Sequence, residues 1–173
     1  MRRFSLAVFV FLACACCFAQ QKGPFAGYLA QVDSHPFLVI DKETFTLTVV
    51  DSLGFEIVHY PVAIAVNYGN KTRTGDHKTP EGVFRINELL NARGLTHDFG
   101  DGKGPVKDAY GPWFLRLDVP GFRVIGIHGT HKPESIGTRD TEGCVRLRNE
   151  DILDLKPRVR VGTRVIITPD IVQ

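Results

Sequence analysis

Residues 37–50 read Phe37-Leu38-Val39-Ile40-Asp41-Lys42-Glu43-Thr44-Phe45-Thr46-Leu47-Thr48-Val49-Val50. Two runs rich in β-branched and aromatic residues, Phe37–Ile40 and Phe45–Val50, flank an Asp-Lys-Glu turn, which is the composition of two adjacent strands. The same texture recurs outward along the chain. Phe55–Tyr60, Val62–Val66, Gly82–Ile86, Trp113–Val119, Val124–His128 and Arg164–Thr168 read as further strands. Many short strands at close spacing predict a mostly β domain, a sandwich or a barrel, over residues 36–170. Residues 20–35 form a lead-in with no second domain in them, and no repeat or low-complexity block appears.

Two stretches interrupt the pattern. Residues 88–112 carry Gly94, Gly100, Gly102, Gly104, Pro105 and Gly111 with little apolar periodicity. A loop of that length is either a functional lid over a site or a tolerated surface insertion. Asn149–Leu155 reads as a short helix, with Asn149 as N-cap, Glu150 and Asp151 in the first turn, and Pro157 ending it.

The totals bound the function. A chain of 173 residues with 43% hydrophobic and 23% charged residues has one domain's worth of core. Met1 to Ala19 reads as a secretory signal peptide. Arg2 and Arg3 are its basic region, Leu6–Leu12 its apolar region, and Cys17-Phe18-Ala19 its cleavage site before Gln20. The apolar run is too short to span a bilayer. A lipoprotein signal is the other reading, with the lipid on Cys14 or Cys16. Either reading places the mature protein in the periplasm or cell envelope. Of the 21 basic residues, two leave with the signal, so 19 face 19 acidic ones. A balance near zero argues against nucleic acid or an anionic membrane as partner. Cys144 is then the one thiol of an exported domain, which makes it either a small buried hydrophobe or a reactive group.

The chemistry concentrates between Val124 and Leu147. Val124-Ile125-Gly126-Ile127 runs into His128-Gly129-Thr130, so His128 stands at a strand end. Further on comes Thr141-Glu142-Gly143-Cys144-Val145-Arg146-Leu147, where Gly143 allows a sharp turn beside the thiol. A thiol attacks as its thiolate, and an imidazole can take its proton and later hand it to a departing amine. Backbone N–H groups at Gly143 and Cys144 would hold the oxyanion. Spacing alone does not choose His128 among the six histidines. His128, His131, Glu142 and Cys144 also have a superficial zinc spacing, but no H-E-x-x-H helix accompanies them, and neither metal nor cofactor is expected. Tyr110, Trp113 and Phe114 follow the long loop, as core anchors or as lining of a groove.

Several segments together resemble the L,D-transpeptidase (YkuD-type) catalytic domain. They are Ile127-His128-Gly129-Thr130, Ser135-Ile136-Gly137, Gly143-Cys144-Val145-Arg146-Leu147, Asn149-x-Asp151 and, upstream, Lys78-Thr79-Pro80-Glu81-Gly82-Val83-Phe84. The resemblance covers residues 36 to 168 in order. It implies a β-sandwich-like fold of mixed sheets with the cysteine under a long active-site loop and one or two short helices. It also implies action on the tetrapeptide stem of peptidoglycan. Cys144 would attack the L,D amide, D-Ala would leave, and the thioester would pass to an amine. His128 carries over as base, the Gly129 carbonyl as the group orienting it, and Gly143 as part of the turn. Arg146 would hold a substrate carboxylate, unless it pairs with Asp151. Thr130, Glu142, Trp113 and Tyr110 would contact substrate.

Glu142 departs from the family, many of whose members carry a histidine, lysine or arginine there. A carboxylate so near the thiolate raises its pKa unless it points to solvent, pairs with Arg139 or Lys132, or meets a substrate amine. Two alternatives follow: a carboxypeptidase or endopeptidase of the same fold using water as acceptor, and a non-catalytic wall-binding module.

Overall fold

The two runs that open the domain pair antiparallel, β1 (Phe37–Asp41) with β2 (Thr46–Val50), Leu38 opposite Val49 and Ile40 opposite Leu47. A computed structural model of the chain describes residues 35–171 together with Gly23, Pro24 and Gly27. The segment read as a signal peptide, with Cys14, Cys16 and Cys17, lies outside the described residues, as does most of the lead-in.

The remaining strands are β3 (Glu56–Pro61), β4 (Ile64–Ala65), β5 (Gly82–Asn91), β6 (Thr96–His97), β7 (Val106–Lys107), β8 (Trp113–Leu117), β9 (Gly126–His128), β10 (Arg139–Thr141), β11 (Val145–Arg146) and β12 (Arg164–Ile167). Among the described residues one α-helix, α1 (Asn149–Leu155), runs into a short 3-10 turn at Lys156–Arg158 that contains Pro157. Eight strands make one mixed sheet in the order β11-β9-β8-β5-β12-β1-β2-β3. Within it β1 runs parallel to β12 and β9 parallel to β11, while the other pairs are antiparallel.

The fold is mostly β, and one curled sheet makes the sandwich. Leu38, Ile40, Val165 and Ile167 from one half of the sheet share a single core with Leu115, Leu117, Ile127 and Val145 from the other. Ile152 and Leu155 of α1 complete it, both fully buried. Each such side chain contributes roughly 1.5–3 kcal/mol on leaving water, so the core outweighs any local strand preference.

Two features depart from the sequence reading. The strand starting at Gly82 does not stop at Ile86: it continues to Asn91 across a register shift between Ile86 and Glu88. Its extension carries the chain into the 88–112 stretch, whose far part is a small hairpin of β6 and β7 and not an unstructured loop. Lys42, read as a turn residue, is fully buried, with Nζ 2.7 Å from both Glu81 Oε1 and Asp170 Oδ2.

Candidate active site

The parallel pairing of β9 and β11 sets Arg146 opposite His128 and Val145 opposite Ile127. Side chains alternate along a strand, so Cys144, one residue before β11, shares a face with Arg146 and His128. All three line a cavity of about 670 Å³ whose other walls include Tyr110, His97, Phe122 and Lys71.

His128 is 4% exposed, and its Nδ1 lies 2.6 Å from the Gly129 carbonyl oxygen. A carbonyl can only accept, so Nδ1 carries the proton and Nε2 keeps its lone pair. The ring is stacked on Phe114 at 5.5 Å between centroids and met edge-on by Tyr110 at 5.1 Å. Its backbone is held too: Leu147 N–H donates to the His128 carbonyl at 2.8 Å. Burial pushes the imidazolium down to about 3, reinforced by the nearby charges of Arg146, His131 and His97 and opposed by the Gly129 carbonyl.

Cys144 is half-buried, and its thiol donates to the Val124 carbonyl at 3.6 Å. Burial pushes the thiol up to about 11; a Gly126 backbone hydrogen bond, Arg146 and Lys71 oppose the rise, and Glu142 adds to it. At neutral pH the resting pair is therefore a thiol and an uncharged imidazole. The turn before the thiol is specific: Gly143 has φ +148, and a Cβ there would lie 3.1 Å from both Ile125 Cδ1 and the Lys78 carbonyl oxygen. Thr141 clips the same turn, its hydroxyl donating to the Cys144 carbonyl at 2.6 Å.

The β6–β7 hairpin leans on the site through His97. Nε2–H donates to Glu142 Oε2 at 2.9 Å, and Nδ1 is hydrogen-bonded to the Tyr110 hydroxyl at 3.0 Å. Glu142 thus pairs with His97, where the sequence suggested solvent, Arg139, Lys132 or a substrate amine. Arg139 is instead bound to Asp170, and Lys132 to Asp140 at 2.7 Å. Burial, with the charges of Cys144 and Glu142, pushes the Tyr110 phenol up to about 12, so it stays a donor.

Other expectations change place. The ion-pair partner of Arg146 is Asp140, at 2.6 Å, and not Asp151; Ser135 Oγ accepts from the same nitrogen at 2.7 Å. Thr130 is buried and does not line the cavity: its N–H donates to Asn149 Oδ1 at 2.8 Å, and its carbonyl accepts from Asn149 Nδ2 at 2.9 Å. That contact also takes the Asn149 side chain away from the helix end, and Arg148 occupies the N-cap with no side-chain cap bond. Trp113 is absent from the lining and packs half-buried beneath the Lys156 ammonium, 4.7 Å from its centroid. His131 Nδ1 lies 3.2 Å from the Ala109 carbonyl oxygen, and His131 is not part of the cavity lining that holds His128, Glu142 and Cys144. Conversely, Lys71, His97, Phe99 and Phe122 line the cavity with no role predicted for them. They come from three turn-rich segments, and only His97 and Phe99 stood in a stretch already singled out.

A thiol and a neutral imidazole on neighbouring strands, beside a glycine turn and under a hairpin, form a centre suited to cysteine acyl transfer. The family model described as the YkuD L,D-transpeptidase catalytic domain matches residues 35–167, and the chain belongs to that family. YqjB of Bacillus subtilis (strain 168), an L,D-transpeptidase by name, is 32% identical over 137 residues, covering 78% of this chain and 72% of YqjB. YkuD of the same strain is 41% identical over 133 residues, 77% of this chain and 65% of that protein. Among solved structures, the L,D-transpeptidase from Mycobacterium smegmatis shares the fold with a TM-score of 0.55 at 19% identity, over 78% of this chain and 58% of that one. Bd1075 of Bdellovibrio bacteriovorus does so with a TM-score of 0.55 at 24% identity, over 79% and 48% respectively. The chain thus spans about half of one of these two solved structures and somewhat more of the other.

Proposed function

We propose that the chain is an exported peptidoglycan L,D-transpeptidase. The Cys144 sulfur attacks the carbonyl of the L,D amide in a tetrapeptide stem as its proton passes to His128 Nε2. A C–S bond forms, the C–N bond breaks, and the imidazolium gives that proton to the departing D-Ala amine. An amine of a second stem then attacks the thioester; its proton passes through His128 back to sulfur, and a new amide is left. Backbone N–H groups at Gly143 and Cys144 take the oxyanion in both steps.

The observation that carries this reading is the 2.6 Å bond from His128 Nδ1–H to the Gly129 carbonyl. It leaves a lone pair on Nε2, in a cavity shared with Cys144. The family supports the substrate class.

The test is mass spectrometry of the purified protein with a disaccharide-tetrapeptide containing diaminopimelate, alongside Cys144→Ala. Loss of D-Ala that needs Cys144, with a cross-linked dimer as product, is the expected result. A tripeptide in place of the dimer would make the enzyme a hydrolase, and an untouched tetrapeptide with a reduced, alkylatable Cys144 would sink the substrate. Export belongs to the same proposal. The mass of the mature N-terminus, starting at Gln20 or at a lipid-bearing cysteine, tests it.

A further inference from the structure

A cationic side chain outside every motif of the sequence stands behind the nucleophile. Lys71 lies in the turn-rich segment after β4, its side chain 4% exposed, and it lines the cavity that holds Cys144. Its Nζ is 2.7 Å from Asp76 Oδ1 and 5.1 Å from the centroid of the Phe122 ring. The same nitrogen is 3.5 Å from the point where a Cβ on Gly143 would stand, so it abuts the turn that presents the thiol.

Asp76 makes this cation a fixed one. Beyond Lys71, its carboxylate accepts the backbone N–H groups of Thr72 at 2.8 Å, Arg73 at 3.0 Å and Lys78 at 3.2 Å. Burial opposes its ionisation, but Lys71 and these three donors outweigh it, so its carboxyl is held well below the usual range. A fixed charge next to the place where negative charge develops needs no reorganisation when the reaction occurs. The other charged or titratable groups lining the cavity are Arg146, Arg123, Glu142, His77, His97, His128 and Tyr110. Arg146 is engaged by Asp140 and Ser135, Glu142 by His97, and Arg123 is exposed.

We propose that Lys71 is an electrostatic positioning residue, its ammonium clamped by Asp76 behind the Gly143–Cys144 turn to stabilise negative charge on the Cys144 sulfur. By the same placement it favours the oxyanion of the acyl group under attack, a corollary that rests on the transpeptidase reading. The step is unchanged in its atoms: the proton still leaves sulfur for His128, and Lys71 neither gives nor takes one.

The test uses the thiol alone, so it stands or falls apart from the identity of the peptide substrate. Rates of Cys144 alkylation by neutral iodoacetamide and anionic iodoacetate are measured between pH 8 and 10 in the full chain and in Lys71→Gln and Lys71→Arg. Losing the charge is expected to raise the sulfur's pKa by about one unit, slowing both reagents about tenfold at pH 9. Lys71→Arg is expected to keep wild-type rates. Asp76 retains three backbone donors in either variant. Should Lys71→Gln not fold, Lys71→Met, which keeps the packing on Phe122, takes its place with the same expected slowing. Wild-type rates for a folded, uncharged variant would overturn the inference. So would slowing confined to iodoacetate, since Lys71 would then be attracting the reagent's carboxylate and not acting on the sulfur.

Discussion

Asn149 grips the two peptide units that meet at Thr130, Oδ1 accepting its N–H at 2.8 Å and Nδ2 donating to its carbonyl at 2.9 Å. The first residue of α1 thereby fixes the chain two positions after His128, and α1 is fixed in turn by Ile152 and Leu155 in the core. The path from core to imidazole is thus a helix, an amide and one short strand end.

Replacing Asn149 with alanine leaves the Thr130 N–H and carbonyl without these partners. The cost is about 1–3 kcal/mol, and D-Ala release is expected to fall by more than the unfolded fraction explains, because His128 loses its support. Thermal melts and initial rates on the same preparation check it. A full-rate variant would show that the Gly129 carbonyl, Phe114 and Tyr110 position the ring unaided.

Gly143→Ala puts a Cβ 3.1 Å from Ile125 Cδ1 and from the Lys78 carbonyl, at φ +148. Strain of about 1–3 kcal/mol is expected, with a turn displaced enough to abolish D-Ala release. Circular dichroism melts and the release assay together test this. A variant with wild-type melting and rate would mean the turn relaxes freely.

The pH dependence of alkylation follows from the resting pair. Burial holds the thiol near 11 and the imidazolium near 3, so between pH 7 and 10 the thiolate fraction rises about tenfold per unit. Iodoacetamide rates are expected to climb through that range with no inflection near 6.5. A plateau reached by pH 8 would instead identify a preformed thiolate–imidazolium pair.

Lys42→Met strands two carboxylates around a fully buried position, where Glu81 and Asp170 both lie 2.7 Å from Nζ. Removing one member of a buried ionic cluster costs about 3–5 kcal/mol. Chemical denaturation should show that loss at pH 7. Asp170 is held low despite burial, chiefly by Lys42, so its contribution to stability is present above the ordinary carboxylate range and fades as pH falls through its folded value. The gap between wild type and variant is therefore expected to narrow in acid.

Glu142→Gln removes the anion that pairs with His97, and the pair is substantially exposed. Such a pair is worth about 0–1 kcal/mol, so melting should barely move. The local effect is expected to be larger: faster amide exchange across the β6–β7 hairpin and modestly faster alkylation, since Glu142 raises the thiol's pKa. Unchanged exchange would show that Phe99 and Tyr110 hold the hairpin by themselves.

What could be read in advance follows the physics of each segment. Phe37–Ile40 and Phe45–Val50 declared themselves because β-branched runs around a polar turn have few other uses. The continuation of β5 did not, because the shift between Ile86 and Glu88 breaks the alternation that marks a strand. Strands of two residues, as in β6 and β7, carry no period at all. Cys144 and Gly143 stood out as a lone thiol beside a turn glycine, while the family resemblance singled out His128 among six histidines. Lys71 and His97 reach the same cavity only through tertiary folding, and Lys42 looked like any turn lysine because its carboxylates are 39 and 128 positions away. Thr130 and Trp113 adjoin the right segments, but their side chains or backbone serve neighbours away from the cavity.

The ladder between β9 and β11 separates two quantities that usually vary together, the length of a connection and the geometry it spans. Fifteen residues lie between His128 and Cys144, yet their strands are joined directly, Arg146 beside His128. The intervening segment bulges out through the exposed Pro133 and Glu134. Residues inserted at Pro133 and Glu134 would lengthen an exposed turn while the ladder keeps the reactive atoms in their places. That makes the turn a grafting site, where the chain can be lengthened without touching the paired strands.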